Sequence, residues 1–283
     1  MKIKPQTKQK IAFTLLGLAA VAVIVPVILV LAILVQRGLP AISWQFLTEM
    51  PKMGMRAGGI FPAIMGTLCL VVCAISVALP LGVLTAIYLV EYAKKNWWTR
   101  MIEIAIVNLA GVPSVVYGLF GLGLFVIFFQ FGSSIIAGAL TLAIMELPVI
   151  ITSSKEALMS VPRSFREASL ALGVSKWETI RCVVLPNALP GILTGSILGV
   201  SRTAGETAPI LFTVAAFYLP RLPHSIFDQC MALPYHLYVL STQVPNVKPA
   251  LQYGTALVLV GMVFSLNFVA ILVRSHIRSK KQW

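Results

Sequence analysis

Residues 164–186 read SFREASLALGVSKWETIRCVVLP. The stretch is polar and charged, and it lies between long apolar runs. Ser164 can cap a helix, Ala168, Leu170, Ala171 and Leu172 favour one, and Gly173 can take the left-handed conformation that closes it. Ser175-Lys176-Trp177-Glu178 has the form of a capping box, with Glu178 at the third helical position. A second helix is expected from Lys176 until Pro186 stops it. Phe165, Ala168 and Leu172 share one face of the first helix, and Arg163, Arg166 and Glu167 supply polar contacts. Periodicity leaves two readings of this hairpin. It lies on lipid headgroups, or it presents a face to a partner in the water.

The rest of the chain is apolar. Of 283 residues, 58% are hydrophobic and 11% charged, with a mean hydropathy of +0.92. Soluble domains carry roughly 25% charged residues, so most of this apolar surface must meet lipid or other spans. Six runs long enough to cross a membrane are expected, at about 11–36, 62–91, 101–130, 133–154, 190–216 and 251–273. The fold class is all-α and polytopic. The net charge of +13 reads as membrane topology and not as nucleic-acid binding, because the basic residues flank the apolar runs. Lys2, Lys4, Lys8, Lys10, Lys94, Lys95, Arg100, Lys155, Arg163, Arg166, Lys176, Arg181, Arg274, Arg278, Lys280 and Lys281 fall on one side of the predicted spans. The other side holds Arg37, Lys52, Arg56, Arg221 and Lys248. That bias puts both termini and the hairpin in the cytoplasm. Trp97, Trp98 and Trp283 fit interface anchors. The first run is too long for a signal peptide and reads as a retained span. Cys69, Cys73, Cys182 and Cys230 form no CxxC pair, and no metal site is expected; His224, Asp228 and His236 fit no common zinc spacing.

The fifth run carries Gly191, Gly195, Gly199, Arg202, Glu206 and Pro209, which one continuous helix would place on a single stripe. Glycines four apart let a second helix approach closely. Arg202 lies about 18 Å past Pro190 along such a helix, a depth at which a charge costs roughly 3 kcal/mol. Glu206 is one turn further and can pair with it. The pair is a packing salt bridge or an anion-handling site; a guanidinium suits a tetrahedral oxyanion because its fork donates two hydrogen bonds at once. Glu146, just before Leu147-Pro148 in the fourth run, faces either that site or a neighbouring helix. Asn267 reads as an interhelical hydrogen-bond partner.

Two motifs carry a resemblance. Glu167-Ala168-Ser169, three residues, Gly173, nine residues, Val183, one residue, Leu185-Pro186 is similar to the EAA motif of ABC importer permeases, with Ser169 and Val183 in place of Ala and Ile. Arg202-x-x-Gly205-Glu206-Thr207-Ala208-Pro209 resembles the phosphate-specific (Pst) importer permeases. The resemblance implies a type-1 ABC importer permease fold with a transmembrane domain over 61–275, containing a cytoplasmic coupling segment at 155–189. Residues 1–60 would form a tail, the first span and an outer loop, and 276–283 a second tail. It implies that Glu167, Ala168, Ser169, Gly173, Leu185 and Pro186 serve ATPase coupling, and that Arg202, Glu206 and Glu146 line the transport pathway. The implied partners are a second permease subunit, an ATPase dimer that binds ATP and Mg, and an extracytoplasmic phosphate-binding protein. The chain has no GxxxxGK[ST] loop, so it is not that ATPase; no catalytic residue and no cofactor of its own are expected. The function implied is phosphate import at the bacterial cytoplasmic membrane. Alternatives are a sulfate or molybdate permease, or an ATP-independent channel or secondary transporter.

Overall fold

In the computed structural model, residues 5–279 are described. Lys2, Lys4, Lys280, Lys281 and Trp283 lie outside them, as do the ends of both expected tails. The chain is helical almost throughout. α1 (Pro5–Gly38) is followed by a short α2 (Trp44–Thr48) and a two-stranded ribbon, β1 (Pro51–Lys52) against β2 (Ala57–Gly58). Next come α3 (Phe61–Ile87), α4 (Trp97–Ala110), α5 (Ser114–Gly121) and α6 (Ile135–Met159). The hairpin is α7 (Arg163–Ala171) and α8 (Lys176–Thr179). Then follow α9 (Leu185–Gly205), α10 (Ala208–Thr213), α11 (Leu233–Thr242) and α12 (Pro249–Ser279).

Five helical segments are long and apolar enough to cross a membrane, or six where a bent pair counts as one span. α1 and α12 bury none of their apolar windows within the chain. Their side chains therefore suit lipid or a partner and contribute little to the internal core. That core forms where α3, α6, α10 and the outer segment around Cys230–Leu233 meet, with Leu70, Leu142, Met145, Ile210 and Leu233 fully buried. A second cluster, Ile87, Leu158, Ile180, Val184 and Ala188, binds the other end of α3 to the hairpin.

Four expectations are corrected. The third run is not one helix: α4 and the segment from Ser114 to Phe128 meet at 104°. The cause is Gly111-Val112-Pro113. Pro113 has no N–H to give and drives Val112 out of helical geometry. The pair still links the two ends of the bundle. Trp97 lines the same cavity as Arg163 and Glu167, and Phe131 packs edge-on against Phe227 of the opposite loop. The fifth run also breaks. α9 ends at Gly205, Glu206 is extended, and Pro209 sits in the first turn of α10, where its missing N–H costs no intrahelical bond; Pro80, Pro148 and Pro190, by contrast, are held inside α3, α6 and α9.

Third, the second hairpin helix does not stop at Pro186. A π-turn over Ile180–Val184 joins α8 to α9, and the Leu185 N–H donates to the Ile180 carbonyl. The wider turn lets the chain enter α9 with Pro186 at its start. A π-turn, Tyr88–Tyr92, likewise extends α3. The cap of α7 is Pro162 and not Ser164. The outer loop holds an unforeseen helix, α11, which buries His236 and Leu240.

Candidate functional site: a buried charge cluster and a cytoplasmic hairpin

The glycine stripe brings α9 onto α6. A Cβ on Gly191 would lie 2.6 Å from Ala157 Cβ, and one on Gly195 would lie 1.8 Å from Ser153 Oγ. A Cβ on Gly199 would meet Glu146 Oε2 at 3.4 Å. Close approach along this seam carries Arg202, in the last turn of α9, up to Glu146 of α6. Arg202 Nε is 3.6 Å from Glu146 Oε1 and 3.3 Å from Glu206 Oε1. The break after Gly205 does not separate Arg202 from Glu206, since the extended residue turns its carboxylate back. The structure thus joins all three residues expected on the pathway.

The three differ in environment. Glu146 is fully buried, and neither carboxylate oxygen has a hydrogen-bond partner. The Arg202 side chain is 40% exposed. Both carboxylates address its Nε edge, and among the described residues its two Nη groups donate to no protein acceptor. Such a fork can take an anion at its free end while the carboxylates hold the other. The end of a helix also favours a cation through its partial negative charge. Nearby, Ser201 donates to Asn267 of α12, as expected of that asparagine.

The turn of the hairpin is built as expected. Gly173 has φ +78°, and Ser175 and Glu178 cap each other reciprocally. The Ser175 hydroxyl, and then its backbone N–H, hold the Glu178 carboxyl below the ordinary carboxylate range. Ser169 is buried and its hydroxyl shares a 2.9 Å hydrogen bond with that of Thr179, tying α7 to α8. Glu167 and Ala168 are exposed, and Leu172 is 83% exposed. Phe165, Ala168 and Leu172 line a groove with Cys182 and Val183. Its volume, about 580 Å³, is within the range that accepts a ligand or a protruding partner side chain. Leu185 and Pro186 lie at the start of α9 and do not share the exposed tip.

Sequence reasoning missed Glu91. It lies in the π-turn after α3 and receives Arg166 of α7 through Nε at 3.0 Å and Nη2 at 2.7 Å. The only cue in the sequence is a carboxylate at the edge of an apolar run.

Seen against known proteins, this is an ABC-type membrane permease. Residues 78–282 match the family described as binding-protein-dependent transport system inner membrane component, and the chain belongs to it. It is 35% identical over 279 residues to the "Phosphate transport system permease protein PstA 1" of Mycobacterium tuberculosis (strain CDC 1551 / Oshkosh), covering 97% of this chain and 91% of that one. It is 34% identical over 272 residues to the "Probable ABC transporter permease protein YqgI" of Bacillus subtilis (strain 168), covering 91% and 92%. Its fold is similar to that of a bacterial ABC transporter involved in the import of the acidic polysaccharide alginate, with a TM-score of 0.69, 13% identity, and coverage of 97% and 99%. The MetNI methionine ABC transporter gives 0.57 and 17%, covering 77% of this chain and 94% of that one.

Proposed function

We propose that this chain is a permease subunit of an ABC importer that carries inorganic phosphate across the cytoplasmic membrane into the cell. One observation carries the reading: Arg202 offers a free guanidinium fork in an otherwise apolar bundle, held in place by Glu146 and Glu206. The match to phosphate permeases over nearly the whole chain supports phosphate as the anion. Glu167, Ala168, Ser169 and Gly173 present the hairpin to an ATPase dimer, which supplies ATP and Mg. Leu185 and Pro186 pass the movement into α9. A second permease subunit completes the pathway, and an extracytoplasmic binding protein delivers phosphate to it. ATP binding draws the hairpins together and tilts the spans outward; their return releases phosphate inside.

The test must account for both carboxylates. Arg202→Gln leaves two of them without a cation, and removing one partner of a buried pair costs about 3–5 kcal/mol. Neutralising Glu206 as well still strands Glu146, which is fully buried. The triple variant Arg202→Gln, Glu206→Gln, Glu146→Gln leaves no lone charge. It is expected to assemble with its partners yet take up almost no labelled phosphate. Uptake near the wild-type rate would reduce the cluster to a packing device. Uptake of labelled sulfate in place of phosphate by the wild-type complex would reassign the substrate.

A further inference from the structure

The hairpin is continuous with two of the spans it must move. α6 enters it through Ser160–Pro162, and α9 leaves it through the π-turn at Ile180–Val184. α3 has no such covalent link, yet its inner end packs on the hairpin through Ala86 and Ile87 against Ile180, Val184 and Ala188. Apolar contact of this kind is non-directional and can slide. What fixes its register is polar.

Arg166 of α7 makes four hydrogen bonds there. Nε and Nη2 donate to Glu91 Oε1 at 3.0 and 2.7 Å. Nη1 donates to the Val161 carbonyl at 2.7 Å and Nη2 to the Leu158 carbonyl at 2.8 Å. One guanidinium thereby pins three pieces together: the end of α6, the hairpin and the π-turn that extends α3. Both side chains are largely buried, Arg166 at 18% exposure and Glu91 at 9%, so water screens the pair little. Lys176 of α8 adds a second fastening. It donates to the Glu91 carbonyl and sits 4.8 Å above the Tyr92 ring.

We propose that Arg166 and Glu91 form the joint through which the hairpin drives α3, with Lys176 as its auxiliary. The inference rests on the reading that the hairpin docks an ATPase. Without the joint, movement delivered to α7 still reaches α6 and α9 through the chain, but it reaches α3 only through packing on α6, as where Gly82 meets Ile150, and the inner end of α3 lags behind the hairpin. ATP is then hydrolysed without the matching rearrangement of the pathway.

The complete importer, reconstituted in proteoliposomes with its binding protein, tests this. ATP hydrolysis and phosphate uptake are measured together in wild type, Glu91→Gln and Lys176→Met. Glu91→Gln should retain the ATPase and hydrolyse within about threefold of wild type, while phosphate moved per ATP falls at least about tenfold. Lys176→Met removes only the auxiliary and should lower the ratio by about two- to fivefold. Spin labels at Val72 on α3 and Phe268 on α12, both exposed, report motion independently of substrate. Their separation should change on ATP binding in wild type and change less in Glu91→Gln. A wild type that moves no phosphate but shows the label shift would count against the substrate alone. Wild-type ratios and label shifts in Glu91→Gln would overturn the joint. Parallel loss of hydrolysis and uptake would also overturn it, assigning the pair to ATPase docking. If Glu91→Gln does not assemble, a wild-type ratio in Lys176→Met overturns it.

Discussion

At Gly173 one backbone angle decides whether α7 and α8 fold back on each other. Its φ is +78°, and a Cβ there would meet nothing within 4 Å. Any penalty on substitution is therefore conformational, about 1–2 kcal/mol for a residue with a Cβ. Gly173→Val is expected to leave the spans inserted and to reduce recovery of the ATPase several-fold in a pull-down; full recovery with normal transport would remove the coupling role. Asp228 gives a residue-scale prediction at the other end of the molecule. The backbone N–H of His224, and then that of Ser225, donate to its carboxylate and hold it below the ordinary carboxylate range. A depressed folded value means that its contribution is complete above the unfolded value, about 3.9, and is lost as pH falls through the lower folded one. The loop that receives the first amides of α6 should thus be insensitive between neutral pH and about 5, and loosen only in stronger acid. A lower protection factor at His224 and Ser225 below pH 4, with each rate taken relative to the intrinsic rate at that pH, checks this, and Asp228→Asn should show the same lowered protection at neutral pH. At this scale the sequence was informative wherever a residue contrasted with its surroundings. Arg202 and Glu206 are charges in an apolar run, and Gly173 follows a helix-favouring stretch. Glu91 contrasts only as a carboxylate at the edge of an apolar run, and its partner Arg166 lies 75 residues away.

Between elements, the seam of α9 on α6 depends on missing side chains. A Cβ on Gly195 would stand 2.3 Å from Ser153 Cβ, so Gly195→Ala must push the helices apart, at about 1–3 kcal/mol. Gly205, in the same helix, has nothing within 4 Å of its would-be Cβ, and Gly205→Ala should be neutral or slightly stabilising. Thermal unfolding of the purified complex in detergent compares the two. Adding Ser153→Gly should recover most of the loss in Gly195→Ala, less about 1 kcal/mol for a helical glycine. Equal melting of Gly195→Ala and wild type would show that the seam is loose. Helix existence was legible for the same reason that the seam was: both are periodic. Helix ends and breaks were not. Hydropathy averaged over a window passes across Gly111-Val112-Pro113 and across Gly205-Glu206, and a proline alone does not mark a break, since Pro80, Pro148 and Pro190 stay inside helices. Pro186 misled in the opposite direction, because the π-turn before it changes which carbonyls need donors.

For the molecule as a whole, the question is which end faces the cytoplasm. Lys95, Arg100, Lys155, Arg163 and Arg166 gather around one cavity at the hairpin end. At the other end Arg37 lies over the Tyr253 ring and Tyr218 bonds to the Pro51 carbonyl, where Arg37, Lys52, Arg56, Arg221 and Lys248 make the smaller of the chain's two basic sets. Basic residues are retained on the cytoplasmic side, so the hairpin end is expected to face inward. The broken third crossing does not alter the count, since α4 begins at the hairpin end and the segment after α5 finishes at the opposite one. The described ends of α1 and α12, Pro5 and Ser279, would then share the hairpin's side. A cysteine-free background carrying one new cysteine decides the orientation. Gln243 follows α11 and Lys95 lies in the turn before α4; both are exposed. A reagent that cannot cross the membrane should label Gln243→Cys in intact cells, and should label Lys95→Cys only after permeabilisation. The reverse pattern would turn the molecule over. The hairpin would then lie outside, away from ATP, and the coupling role and the proposed joint would both be lost.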